Sequence, residues 1–258
     1  MCRLLGSVSR APVTVDEVLG EGRDAFVQLA DKHGDGWGHA FSAQPGHVAV
    51  RKAPDSAREN PAFAALTAEQ PARAALTHLR WATLGLGVSA ENTHPFTDGT
   101  IAFGHNGSID PPELLDQLIS PELAARRQGS TDSERYFLAL LSRLGEHDEV
   151  DALVFTVADV VALAGGAKSL NCMLLTPQAL YAVCSYDPSS HEEPDYYPLL
   201  YRATADTVVV ASTGWTDSAG WTTLGNGQML VVDRETLGTR VVAVPVAATP
   251  LTAIGASR

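Results

Sequence analysis

A cysteine stands at position 2, ahead of Arg3-Leu4-Leu5-Gly6, so removal of Met1 would leave a thiol and an α-amine on one residue. Such a residue carries a nucleophile and a base together. A thiol of pKa ~8.5 and an α-amine of ~7.7–8.0 can exchange a proton directly or through one water, without a histidine. The same cysteine, with Leu4, Leu5 and Val8, also suits a buried strand, and position alone does not separate the two readings.

Other chemistry-bearing groups follow at intervals. Arg80-Trp81-Ala82-Thr83 closes a short apolar stretch. An arginine there either keeps its head in water or is held inside for a purpose. His94-Pro95 lies in the polar loop 91–96, and His105-Asn106-Gly107 follows apolar residues 100–103. Asn-Gly after a strand commonly turns a hairpin, but Asp110-Pro111-Pro112 reads as a helix start. The Asn106-Gly107 pair is then free to present an amide NH2 and a backbone N–H side by side. Asp132 lies in Thr131-Asp132-Ser133-Glu134, where residues 131 and 134 have capping-box spacing and the charge of Asp132 suits a helix N-terminus. Gly34, Gly36 and Gly38 mark a tight turn or a close backbone approach.

Elements must carry these groups. The pattern predicts a strand over 3–8, a helix over 13–32 weakened by Gly20 and Gly22, and a hairpin from 37–41 and 47–52 about Gln44-Pro45-Gly46. A helix over 61–74 and a strand over 75–80 come next. Tyr136, Phe137, Leu140, Leu141 and Leu144 form the apolar face of a helix behind Thr131. After Gly165-Gly166, residues 171–175 and 180–185 read as a hairpin, and 207–212, 228–232 and 239–244 as strands. The acidic, proline-bearing stretch 186–198 reads as a surface loop. Cys172 and Cys184 fall within strands and read as core residues.

Composition limits the partners. At 258 residues and 45% hydrophobic content the chain can bury a full core, and one domain over 1–258 is expected. A net charge of −12 with no basic run argues against nucleic acid and anionic membrane. The three cysteines are too scattered for a disulfide framework, and no Cys/His cluster suggests a metal. No signal-peptide pattern is visible, and the apolar stretch 150–164 is interrupted by Asp151 and Asp159. A cytoplasmic protein is expected.

Cys2, Gly36-Trp37-Gly38, Arg80-Trp81-Ala82-Thr83, His94-Pro95, His105-Asn106-Gly107 and Thr131-Asp132-Ser133-Glu134, in that order over residues 2–135, resemble the class II glutamine amidotransferases, members of the N-terminal-nucleophile (Ntn) hydrolases. The opening residues and the length look most like the stand-alone branch, which includes the γ-glutamyl hydrolase of ergothioneine biosynthesis and the YafJ-like proteins. The resemblance implies an α+β fold, a four-layer α/β/β/α sandwich of two mainly antiparallel sheets, with no cofactor. It implies Cys2 as nucleophile, Asn106 and Gly107 as oxyanion hole, Arg80 on a substrate α-carboxylate and Asp132 on its α-ammonium. Trp81 and Thr83 would line the pocket or fix the N-terminus through backbone groups, and His94 is expected with them among the substrate-binding residues. One departure stands out: Leu84 occupies the place of a histidine in the glucosamine-phosphate synthetases, which argues against their closed, ammonia-tight pocket.

Three functions fit. The first is hydrolysis of a small-molecule γ-glutamyl amide through a Cys2 thioester. The second is a glutaminase subunit that hands ammonia to a separate synthetase, and the third a non-catalytic γ-glutamyl-binding module. For the first, the amine part of the substrate needs a groove, expected along residues 92–96, 35–38 and the acidic 186–198 loop.

Overall fold

The strand that begins beside Cys2 lies in the middle of a sheet. In the computed structural model, which describes residues 2–44, 46–82, 87–163, 167–190, 195–215 and 219–247, the elements run β1 (Arg3–Val13), α1 (Val15–Leu19), α2 (Arg23–Gln28), β2 (Trp37–Gln44), β3 (His47–Ala53), α3 (Pro61–Glu69), β4 (Ala72–Leu79), β5 (Phe96–Thr97), β6 (Ala102–Ile109), α4 (Pro121–Ala124), α5 (Asp132–Leu144), α6 (Glu149–Leu163), β7 (Ala167–Leu175), β8 (Ala179–Cys184), β9 (Leu199–Ala203), β10 (Thr207–Ser212), β11 (Thr222–Leu224), β12 (Gln228–Asp233) and β13 (Thr239–Ala243). One sheet has the order β11-β9-β10-β1-β4-β2-β3, the other β13-β12-β8-β7-β6-β5. Every pairing described within them is antiparallel.

Strand alternation sorts the side chains into layers. Leu4 and Val8 of β1 and Leu76 of β4 meet Ala102, Met173 and Leu180 of the other sheet in a buried core between the sheets. The opposite face of β1 packs Leu5 against Val15, Leu19, Phe26 and Trp215. The far face of the second sheet carries Phe103, Leu170 and Cys172 under Tyr136, Phe137, Leu153 and Val157 of α5 and α6. The result is the four-layer α/β/β/α, α+β sandwich.

Several local expectations change. The helix over 13–32 is two short helices, because Gly20 turns to φ +53° and a 3₁₀ turn at Gly20–Gly22 intervenes. Helix α3 stops at Glu69, and residues 72–74 belong to β4. His105, Asn106 and Gly107 lie inside β6, not in a loop after a strand. Thr131 does cap α5 by accepting the Glu134 N–H, but the Glu134 carboxylate bonds the Gln128 and Gly129 N–H groups, so only half of the box forms. In the described parts of 186–198, Tyr196 and Tyr197 are buried, drawn inward by aromatic and cationic neighbours. Pro45, Gly165 and Gly166 lie outside the described residues.

Candidate active site

Cys2 sits at the open end of β1, buried, with its Sγ donating to the Trp81 carbonyl at 3.7 Å. Parity places it: Leu4, two residues on, is an inter-sheet residue, so the Cys2 side chain belongs to the same inner face. In the β1–β4 register, Arg3 lies opposite Leu79 and Leu4 opposite His78, which brings Arg80 to the Cys2 end. Arg80 has the parity of Leu76 and His78 and also turns inward.

The second sheet supplies the opposing wall. A Cβ on Gly104 would touch Leu4 of β1 and approach both Leu76 and His78 of β4. His78 Nε2 bonds the His105 carbonyl at 3.1 Å. Moving along β4 toward Arg80 is therefore moving along β6 toward Asn106. Asn106 is wholly buried, and neither its Nδ2 nor its Oδ1 has a hydrogen-bond partner. A buried amide left in that state costs about 1–3 kcal/mol, so it marks a place where a ligand oxygen would fit.

The backbone of β6 adds a second donor. Leu170, opposite Gly107, sends its N–H to the Ser185 carbonyl on the β8 side. In an antiparallel ladder a residue's N–H and C=O point the same way, so Gly107 turns its own N–H away from β7. Beyond it, β5 pairs only with Ala102 and Phe103. The Gly107 N–H thus lies on an uncovered strand edge, beside the amide of Asn106. Glycine is required there, because any Cβ would run into the Ser169 carbonyl. The same holds for Gly38, whose Cβ would run into the His94 carbonyl.

Two charges bracket the thiol. Arg80 is buried and bonds only the Asp35 and Gly87 carbonyls, both at 3.3 Å; no carboxylate among the described residues pairs with it. Burial pushes its pKa down from the usual arginine value, the mark of a desolvated cation. Asp132 begins α5, and its Oδ2 accepts the Ile109 N–H at 2.8 Å, tying the helix to the end of β6. Burial raises the Cys2 thiol pKa, the Arg80 cation lowers it and the Asp132 carboxylate raises it, so both charges act on the sulfur.

The remaining sequence candidates divide. Trp81 contributes its carbonyl to the thiol, as a backbone group fixing Cys2. His94 is buried and stacks on His78 with ring centroids 4.1 Å apart, a wall behind the site; neither of its ring nitrogens has a partner. Thr83 and Leu84 lie outside the described residues. Of the expected groove walls, Asp35 is half-buried and its carbonyl accepts from Arg80 at 3.3 Å, while Asn92, Thr93 and His94 are buried, as are Gly36, Trp37 and Gly38. Packing explains this, since the 92–95 loop lies directly on Gly36 and Gly38. A cavity of about 660 Å³ borders Glu91 and Phe96, but its lining of Lys52, Gln128, Glu134 and Phe137 includes none of Cys2, Arg80, Asn106 and Asp132.

Residues not singled out in the sequence also reach the site. Arg3 bonds the Cys2 carbonyl at 3.2 Å and lies over the Tyr196 ring at 4.1 Å. His33 stands edge-on to Trp81. A charged residue inside an otherwise apolar strand was the available signal for Arg3; nothing local distinguishes Tyr196.

Buried histidines give the protein a pH dependence. Burial holds His33 and His78 down to about 3 and His39 down to about 4, against an ordinary 6.5. Below 6.5 the unfolded chain binds protons that these rings refuse, so stability is complete above pH 6.5 and falls as the pH drops toward 3–4. At pH 5 each ring withholds up to about 2 kcal/mol. The urea midpoint should therefore fall steeply between pH 7 and pH 5; an unchanged midpoint would show the rings protonated or exposed in the folded state.

The family model described as Glutamine amidotransferases class-II matches residues 1–192. The gamma-glutamyl-hercynylcysteine sulfoxide hydrolase of Mycolicibacterium smegmatis is 27% identical over 240 residues, covering 90% of this chain and 96% of that protein. Among solved structures, a glutamine aminotransferase class-II domain protein from Silicibacter pomeroyi superposes with a TM-score of 0.68 at 24% identity, over 94% of this chain and 99% of that one. The glutamine phosphoribosylpyrophosphate amidotransferase of B. subtilis gives 0.62 at 19% identity, over 94% of this chain and 49% of that one.

Proposed function

Since the chain belongs to the class II glutamine amidotransferases, and is by that membership an amidohydrolase, we propose that it cleaves a γ-glutamyl amide through a thioester on Cys2. Sγ attacks the γ-carbonyl carbon while the α-amine of Cys2, freed by loss of Met1, takes the thiol proton. The oxyanion accepts hydrogen bonds from Asn106 Nδ2 and the Gly107 N–H. Collapse breaks the C–N bond, and the α-ammonium returns its proton to the departing amine. Water, deprotonated by the same amine, then hydrolyses the thioester to release glutamate.

The observation that carries this reading is the partnerless amide of Asn106, facing the Cys2 end of the other sheet. Donors fixed in advance where charge develops contribute roughly 3 kcal/mol each in acyl-transfer sites. The head group supports it further. A free γ-glutamyl end is a zwitterion, and it needs one fixed cation and one fixed anion, the parts taken by Arg80 and Asp132. The mycobacterial relative acts, by its name, on a γ-glutamyl conjugate.

A second reading, ammonia supply to a separate synthetase, is favoured by the likeness to a phosphoribosylpyrophosphate amidotransferase of which this chain matches 49%. Substrate preference separates the two. Steady-state release of glutamate should show γ-glutamyl amides with bulky amine parts hydrolysed with kcat/KM at least equal to that for free glutamine, because remote contacts can stabilise the transition state. A preference for free glutamine of tenfold or more, about 1.4 kcal/mol, would put the ammonia-supplying reading first.

A further inference from the structure

We propose that His78 is a positioning residue that sets the spacing between the Arg80 clamp and the oxyanion donors at Asn106 and Gly107, and so selects γ-glutamyl over β-aspartyl amides. The proposal rests on the reading of the site given above, and deepens it.

His78 is fully buried on β4, two residues before Arg80 and on the same inward face. Its Nε2 bonds the carbonyl of His105 on β6 at 3.1 Å. A carbonyl only accepts, so the proton is on Nε2 and the ring is the neutral tautomer with an open Nδ1, which has no partner. This hydrogen bond crosses from one sheet to the other. It ends on the strand that carries both oxyanion donors, one residue before the first of them.

The side of the strand matters as much as the residue. Like Gly107, His105 is paired off the ladder: its β7 partner Cys172 has the parity of Leu170, so the His105 C=O and the Gly107 N–H lie on the same free edge of β6. No neighbouring strand holds that edge at His105. The other carbonyl of the segment, that of Asn106, is held from the opposite side by the Ser169 hydroxyl at 2.9 Å. The peptides around Asn106 are thus fixed by one side chain from each sheet. The His105 ring is anchored separately, its Nε2 donating to the Ser169 carbonyl at 3.0 Å and its Nδ1 accepting from Ser133 at 2.8 Å. His78 itself is kept flat by His94 stacked 4.1 Å away.

The consequence is metric. The head group is gripped at Arg80 on one sheet, and its carbonyl is polarised at Asn106 and Gly107 on the other. Only His78 ties those two strands together by a hydrogen bond among the described residues near the site. A β-aspartyl amide is one methylene shorter and cannot reach both ends while the spacing is held. Misplacement of reacting groups by about 1 Å can cost 10²-fold in rate.

The test compares wild type, His78→Gln, which retains a donor of similar reach, and His78→Met, which fills the space without one. Kinetics are measured on matched γ-glutamyl and β-aspartyl amides, with active sites counted by alkylation of Cys2. His78→Met should lower kcat per titrated site on the γ-glutamyl amide roughly 10–100-fold, with KM changed by less than about threefold, since ground-state contacts are untouched. The ratio of kcat/KM for γ-glutamyl over β-aspartyl should fall at least about tenfold, and His78→Gln should restore most of both. If the methionine variant does not fold, His78→Asn, whose donor sits on a shorter arm, is expected to show the same split. Parent kcat per titrated site, or an equal loss on both substrates, would overturn the proposal while leaving γ-glutamyl hydrolysis standing. A wild-type protein that cleaves no γ-glutamyl amide would bring down both.

Discussion

Cys2→Ala is expected to abolish turnover while leaving the protein folded. Deleting a covalent nucleophile in a comparable acyl-transfer site costs on the order of 10⁶ in kcat. Little stability depends on the sulfur: it makes one long bond, to the Trp81 carbonyl at 3.7 Å. The strand behind it is held by ladders to β4 and β10 and by Leu4, Leu5 and Val8 in two cores. Cys2→Ser should be strongly impaired as well, because a hydroxyl far above neutral pKa is a poor nucleophile for an α-amine to activate. The measurements are glutamate release, thermal unfolding, and intact mass of the acid-quenched enzyme, where a glutamyl adduct should appear on wild type only. Mass analysis of active wild type should also show loss of Met1. Undiminished hydrolysis by the alanine variant would end the nucleophile assignment, and full activity from a chain that retains Met1 would exclude the α-amine as base.

Arg80→Met and Asp132→Asn should each reduce kcat/KM by the cost of leaving one substrate charge buried and unpaired, about 2–5 kcal/mol. The choice of substitution follows from the contacts. Asparagine can still accept the Ile109 N–H that Asp132 Oδ2 takes at 2.8 Å, so the end of β6 remains tied to α5 and only the charge is removed. Methionine fills the volume of the buried Arg80 stem without its cation. A γ-glutamyl amide acylated on its α-amine should fail on wild type yet lose little further on Asp132→Asn, since the missing ammonium no longer needs a partner. Equal cleavage of free and N-acylated substrates would contradict the zwitterion pocket, as would a full-strength Arg80→Met variant.

What the residues determined by themselves was the inventory of groups and their order along the chain. Thr131 predicted the start of α5 through a bond only three residues long, whereas period-two alternation places Cys2 with Leu4 and Arg80 with Leu76 only once the two sheets fix which face is inner. Local signals fail where partners are distant. Asn106-Gly107 reads as a free segment between a strand and a helix start because its own neighbours are all that a short window contains, whereas β7, some 60 residues later, makes it the interior of a strand. Arg80 reads equally well as a solvated charge until β1 and β2 pair on either side of β4 and bury it. The acidic stretch at 186–198 reads as surface until Arg3 is seen beneath Tyr196. Tertiary structure alone decided that His78 faces the carbonyl before Asn106, because strand parity tells which way a side chain points and cannot tell what another sheet will place opposite it.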